Sequence, residues 1–294
     1  MTALPYGLPP TTYRLPDATR LGKAHLQVTD LERSLDFYTR VLGLHVLSQE
    51  EGAGALGVVG DGRAILELRG GASQPVPRGG RQGLFHVAIL LPDRASLGRF
   101  LVHLRDIGER AGASDHLVSE AIYLSDPDGL GIEVYADRPR ATWRHEGREL
   151  SMATIPLDAR SLADAAGGEP WNGMPAGTTL GHMHLHVGLL EEARAFYQDA
   201  LGLDLIVWSY PGALFFSAGG YHHHLGTNTW AKGQPSAAPD EARLLDWELM
   251  LPDAASVDAA RGNLEAHGHV AARTEHGWSF SDPWGTRLSL VPAD

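Results

Sequence analysis

Cysteine is absent from this 294-residue chain. That excludes disulfides, thiolate-bound metals and a cysteine nucleophile together, so any metal must rest on His, Asp or Glu. Positive charge is scarce: 24 Lys and Arg face 36 Asp and Glu, for a formal net charge of -12, and the basic residues are scattered. A nucleic-acid partner needs a basic face, and none is expected here. No apolar run approaches the roughly 18 residues of a spanning helix, and Met1–Pro10 lacks the basic run and apolar core of a signal peptide. No membrane association is therefore expected, and the expected location is the cytoplasm. The hydrophobic share of 43% is that of an ordinary packed protein, long enough for two domains.

Histidine is what the chain has in quantity, 15 in all, and it is clustered. In Leu180-Gly181-His182-Met183-His184-Leu185-His186-Val187 it alternates with apolar residues, a strand pattern that puts three imidazoles on one face. Such a face is either a metal site or a costly accident, since neutral imidazole is the commonest metal ligand. His222, His223 and His224 follow about forty residues later.

Internal repetition decides the architecture. A shift of 159 residues lays Leu21-Gly22 on Leu180-Gly181, Phe37-Tyr38 on Phe196-Tyr197, and Leu42-Gly43-Leu44 on Leu201-Gly202-Leu203, without a gap. A shift of 160 lays Leu91-Pro92-Asp93 on Leu251-Pro252-Asp253, Ser96 on Ser256 and Gly108 on Gly268. With a shift of 156, Ser125-Asp126-Pro127-Asp128-Gly129 meets Ser281-Asp282-Pro283-Trp284-Gly285. Each repeat begins with a strand, continues as an amphipathic helix and ends in short strands, a βαβββ unit. The expected α+β organisation is an N-terminal arm at 1–19, a first pair of modules over 20–137 (20–70 and 83–137), a linker at 138–178, and a second pair over 179–294 (179–230 and 243–292). The acidic turn Asp126-Pro127-Asp128-Gly129 is read as turn chemistry, because the spacing of a calcium loop is missing.

The L-G-x-x-x-L-x-V strand before an F-Y…L-G-L helix, the S-D-P-x-G turns, and Gly219-Gly220-Tyr221-His222-His223-His224-Leu225-Gly226 resemble the vicinal oxygen chelate superfamily. That superfamily includes glyoxalases, bleomycin-resistance proteins and type I extradiol dioxygenases. The likeness spans nearly the whole chain beyond the arm and is strongest to four-module catechol 2,3-dioxygenases. It implies that modules pair into two half-open β-barrel cups, with metal ligands on the first and last strands of modules.

The equivalent positions on first strands hold Lys23, His86, His182 and Asp246; on the last strands of modules two and four they hold Glu133 and Ser289. Pairing modules three and four, as most such enzymes do, lacks a His and the Glu. Modules two and three supply His86, Glu133 and His182, the two-His, one-carboxylate set of non-haem Fe(II) oxygenases. The active cup is therefore expected between the middle modules, with a metal-free cup from modules one and four. The same resemblance implies His223 as acid/base and Tyr123, ten residues before Glu133, as a hydrogen-bonding partner of substrate. His222 or His224 would replace His223 if their strand were bulged. His116, His184 and His224 carry over as substrate contacts, although His184, like His25 and His186, also reads as a core histidine. Trp143, Trp171 and Trp230 are candidates for a pocket wall or for core packing.

The activity implied is extradiol cleavage of a small aromatic diol by O₂ at Fe(II), with Mn(II) as a substitute, giving a 2-hydroxymuconic semialdehyde type of product. Two other readings share the fold: a glyoxalase-like isomerase or lyase using a non-redox metal, and a non-catalytic protein sequestering an aromatic or antibiotic ligand. His223 where the former carries a Glu, and the joint presence of His86, Glu133, His182 and His223, favour the dioxygenase. Open-cup edge strands make a homodimer a reasonable expectation.

Overall fold

Three Asp residues start three of the main helices in the same way. In the computed structural model, which describes residues 6–293, Asp30 accepts from Arg33 N–H at 3.1 Å, Asp93 from Ser96 N–H at 2.7 Å, and Asp253 from Ser256 N–H at 2.7 Å. These caps begin helices Leu31–Arg40, Arg94–Ile107 and Ala254–Ala266, and they explain the repeated Pro-Asp-x-x-Ser pattern of the latter two. The corresponding stretch of the third repeat is a short α-helix, Leu190–Arg194, that widens into π-helix over Ala195–Ala200. Each helix follows a long first strand, respectively Arg20–Val28, Gly83–Leu91, Arg243–Leu251 and Thr179–His186. Three further strands complete each repeat.

The S-D-P-x-G turns are closed by their aspartates. Asp126 accepts from the N–H groups of Asp128 at 2.9 Å and Leu130 at 2.8 Å, and Asp282 from those of Trp284 at 3.0 Å and Thr286 at 2.7 Å. The Phe-Tyr pairs reach the same turns from a neighbouring repeat: Tyr38 OH donates to Asp126 at 3.4 Å and Tyr197 OH to Asp282 at 2.8 Å. The helical faces thus join the first repeat to the second and the third to the fourth.

The sheets join the repeats differently. The first strands of the first and fourth repeats run antiparallel at the centre of an eight-stranded sheet, and those of the second and third at the centre of a nine-stranded sheet. Within each repeat the last strand lies parallel to the first. Two curled sheets result, with the main hydrophobic core packed from helices and sheet faces of all four repeats. Among the described residues, no helix is long and apolar enough to cross a membrane.

The connection over 138–178 has structure of its own. It carries a hairpin (His145–Glu146 with Glu149–Leu150), a helix at Ala159–Ala165, and a short strand, Ile155–Pro156, that extends the nine-stranded sheet. Residues 1–5 of the expected arm lie outside the described residues. The rest packs on the third repeat, where Leu8 bridges to Leu205, Leu15 is buried, and Arg14 forms a two-pronged pair with the buried Asp204 at 2.8 and 2.6 Å. Arg14→Ala leaves that carboxylate without its partner and is expected to lower the unfolding free energy by about 2–3 kcal/mol in urea titrations.

The cup of the first and fourth repeats holds Lys23, Asp246 and Ser289. Lys23 is ion-paired to Glu67, and Ser289 Oγ donates to Asp246 at 2.9 Å. Burial pushes the Asp246 carboxyl up to about 7. An unfolded chain releases that proton near pH 4, so the stabilising effect of the bound proton is full below pH 4 and is lost as pH rises through 7. Asp246→Asn is therefore expected to gain stability relative to the parent on going from pH 5 to pH 8, on the order of a few kcal/mol, in paired denaturation curves.

Candidate active site

The register of the nine-stranded sheet builds the site. Tyr123 stands opposite Glu133, Glu133 beside Ala88, and Ala88 opposite His182, a row across four neighbouring strands. His86 lies two residues from Ala88 on its strand, opposite His184. Ala88 is fully buried within that row, and ligand atoms of His86, Glu133 and His182 lie within 4.8 Å of one another. His86 Nε2 is 3.0 Å from Glu133 Oε2, His182 Nε2 is 3.4 Å from the same oxygen, and the two nitrogens are 3.3 Å apart. Donors held at about 2.1 Å from one ion stand about 3.0 Å apart at right angles and about 3.4 Å apart at tetrahedral angles, so this spacing suits a first-row divalent metal. Ala88→Leu would force extra bulk between the strands that carry Glu133 and His182 and is expected to reduce metal bound per chain more than tenfold, measured by metal analysis after gel filtration.

Electrostatics favour the ligand forms. Burial alone would raise the Glu133 carboxyl, but the charges and hydrogen bonds of His182 and His86 hold it well below the usual carboxylate range. Burial lowers His182 to about 4, against the opposing pull of Glu133, so it is a neutral imidazole at physiological pH. Its Nδ1 is buried without a partner.

A cavity of about 330 Å³ opens over these three residues. Phe85, Tyr210, Phe215 and Trp230 form apolar walls, and His116, Tyr123, His184 and His223 face into it. Tyr123 OH lies 2.5 Å from His116 Nε2, whose Nδ1–H donates to the Ala153 carbonyl at 2.8 Å. Burial, then the Glu133 charge, push the Tyr123 phenol well above its ordinary value, so it stays protonated. His184 sits edge-on to His86 and Phe85, with its Nε2 buried and unpartnered. Gly226 makes this placement possible, since a Cβ there would stand 2.9 Å from the His184 ring. Burial and the surrounding imidazoles of His182, His222 and His184 keep His223 neutral, well below the ordinary histidine range.

The sequence profile of the Glyoxalase/Bleomycin resistance protein/Dioxygenase superfamily matches residues 20–134 and 179–290. The chain belongs to this superfamily. Within the superfamily it is similar to the catechol-2,3-dioxygenase of Bacillus subtilis, with 45% identity over 271 residues, covering 90% of this chain and 94% of that protein. Two solved structures share the superfamily fold. A Bacillus subtilis protein provisionally assigned as a dioxygenase is 15% identical, with a TM-score of 0.65, covering 93% of this chain and 85% of that one. Maize glyoxalase I is 18% identical, with a TM-score of 0.56, covering 94% and 92%.

Other expected positions fall elsewhere. His224 does not line the cavity: its Nδ1 accepts from Ala218 N–H at 3.2 Å and its ring packs on Tyr221. The segment Tyr221–His224 precedes the last strand of the third repeat, Leu225–Asn228, and is not itself strand. Strand alternation therefore does not govern which way these imidazoles face. Trp230 lines the cavity, whereas Trp143 packs against His222 and Trp171 against Phe100 and His103. Sequence reading missed Phe85, Phe215, Tyr210, Met152 and Thr154. The last two come from the connection between repeats, where no repeat partner exists to mark them.

Proposed function

We propose that the protein cleaves a catechol-type ring in the extradiol position, using O₂ and a mononuclear Fe(II) held by His86, Glu133 and His182. A ring-cleaving dioxygenase activity follows from 45% identity along nine-tenths of the chain to a catechol-2,3-dioxygenase. The observation that carries the finer reading is the convergence of two imidazoles and one carboxylate within 3.0–3.4 Å at the floor of an aromatic-walled cavity that also presents His223 and Tyr123. A metal with three ligands on one face supplies open positions at which a diol and O₂ can be brought together; Mn(II) suits the same donors.

The chain's own residues then have defined tasks. Phe85, Phe215 and Trp230 exclude water and hold a flat ring. His223, neutral and buried, takes the proton of an incoming diol and returns a proton later in the reaction. With the Nδ1–H of His116 committed to Ala153, its Nε2 is the nitrogen that meets the Tyr123 hydroxyl, which holds the phenol at the cavity wall where it can hydrogen-bond to substrate. The product is a 2-hydroxymuconic semialdehyde type of acid. A cytoplasmic location is part of the same proposal.

A glyoxalase-like isomerisation is disfavoured because Glu133 is the one carboxylate among the residues lining the cavity. The test is anaerobic loading with Fe(II), followed by catechol and O₂, with oxygen uptake and a yellow product expected. Absence of uptake by fully iron-loaded protein would overturn the reading.

A further inference from the structure

His223 is not held by the cavity it faces. Its Nδ1 lies 2.7 Å from Nδ1 of His222, a fully buried residue, and the other nitrogen of His222, Nε2, lies 2.8 Å from Asp137 Oδ1. The Asp137 side chain is 28% exposed, so the chain of contacts runs from the cavity to solvent. Tyr221 OH also donates to Asp137 Oδ1 at 3.2 Å, and Tyr135 OH lies 2.6 Å from Tyr221 OH, which fixes the carboxylate from a second side.

The donors and acceptors of this chain can be ordered from its outer end. A carboxylate only accepts, so His222 Nε2 carries hydrogen toward Asp137. With its one ring hydrogen on Nε2, His222 has a bare lone pair at Nδ1. That nitrogen must accept, so His223 donates from Nδ1 and keeps its own Nε2 unprotonated. We propose that Asp137 and His222 are positioning residues that set the tautomer of His223, presenting its Nε2 to the cavity as a ready proton acceptor. The Nδ1–H of His223 then points at His222, whose own Nε2–H is anchored on the Asp137 carboxylate, so the ring is held in one orientation and one tautomer. This inference rests on the acid/base role given to His223 above.

Two measurements test it, one independent of turnover. In protein loaded with diamagnetic Zn(II), ¹⁵N–¹H spectra of the imidazoles should show His223 protonated at Nδ1 and bare at Nε2. Finding the opposite tautomer overturns the proposal whether or not the protein cleaves catechols. In the Fe(II) protein, Asp137→Asn and His222→Phe should each lower kcat about 10- to 100-fold while KM and iron content stay near those of the parent. His222→Gln, whose amide oxygen can accept from His223, should recover part of the loss. Unchanged kcat in both Asp137→Asn and His222→Phe, or a loss that simply tracks lost iron, would overturn the positioning role. If the parent takes up no oxygen, the dioxygenase reading fails, and the tautomer measurement still decides this one.

Discussion

Glu133→Ala is expected to bring metal retention to background after anaerobic gel filtration, with catechol-dependent oxygen uptake falling to that of the metal-free protein. Glu133 is the only anionic donor among the three converging groups, and its Oε2 is the atom both imidazoles approach, at 3.0 and 3.4 Å. Without it, two neutral imidazoles must bind a dication in a buried pocket with no compensating charge. Desolvating an uncompensated ion costs several kcal/mol, and each 1.4 kcal/mol is tenfold in affinity. His182→Ala should do the same by removing the ligand supplied from the third repeat. Asp246→Ala is the control. It occupies the position in the eight-stranded sheet that corresponds to His86 in the nine-stranded one, so metal bound per chain should stay at the parental level. A Glu133→Ala protein that keeps its metal while Asp246→Ala loses it would place the centre in the wrong cup.

His223→Ala is expected to lower kcat about 10²- to 10⁴-fold, the usual worth of a positioned acid/base, with metal content unchanged. Its ring centroid is 4.1 Å from that of His182, and it packs against Phe215, so it borders the proposed metal site without being one of the three converging donors. Its neutrality comes first from burial and then from the surrounding imidazoles. A base of this kind acts at the step where the diol loses its proton, so the defect should appear in kcat and kcat/KM, and not in metal binding. Full activity in His223→Ala would transfer the role to another cavity residue, His184 or His116 being the imidazoles that remain there.

The positions of these residues trace back to different levels of the molecule. The repeats at shifts of 159, 160 and 156 follow from residues whose work is local: aspartates that cap helices and close turns, and tyrosines that reach those turns. Local hydrogen bonds recur wherever the same short motif recurs, which is why four βαβββ units could be seen in the chain without coordinates. His86, Glu133 and His182 were singled out because the resemblance puts ligands on first and last strands and the repeats mark the equivalent positions, and the fold brings these three side chains together. His224 was expected at the substrate on the resemblance alone, and the bend at Tyr221–His224 before the strand begins leaves His223, and not His224, lining the cavity. The aromatic walls and the linker residues Met152 and Thr154 left no sequence signal, since nothing in an aperiodic segment tells which cavity it will cover.

By itself, then, the sequence determined the unit, its fourfold use, the donor types available to a metal and the exclusion of thiolate chemistry. Tertiary structure alone decided the convergence and its support. Sheet register across four strands put Tyr123, Glu133, Ala88 and His182 in one row, and the packing of the connection brought Ala153 onto His116. A bend before a strand turned His222 toward Asp137, 85 residues away. The physical reason is range. Caps, turns and strand alternation are short-range and are written in neighbouring residues, whereas the meeting of donors from separate strands depends on register and packing that no local pattern contains.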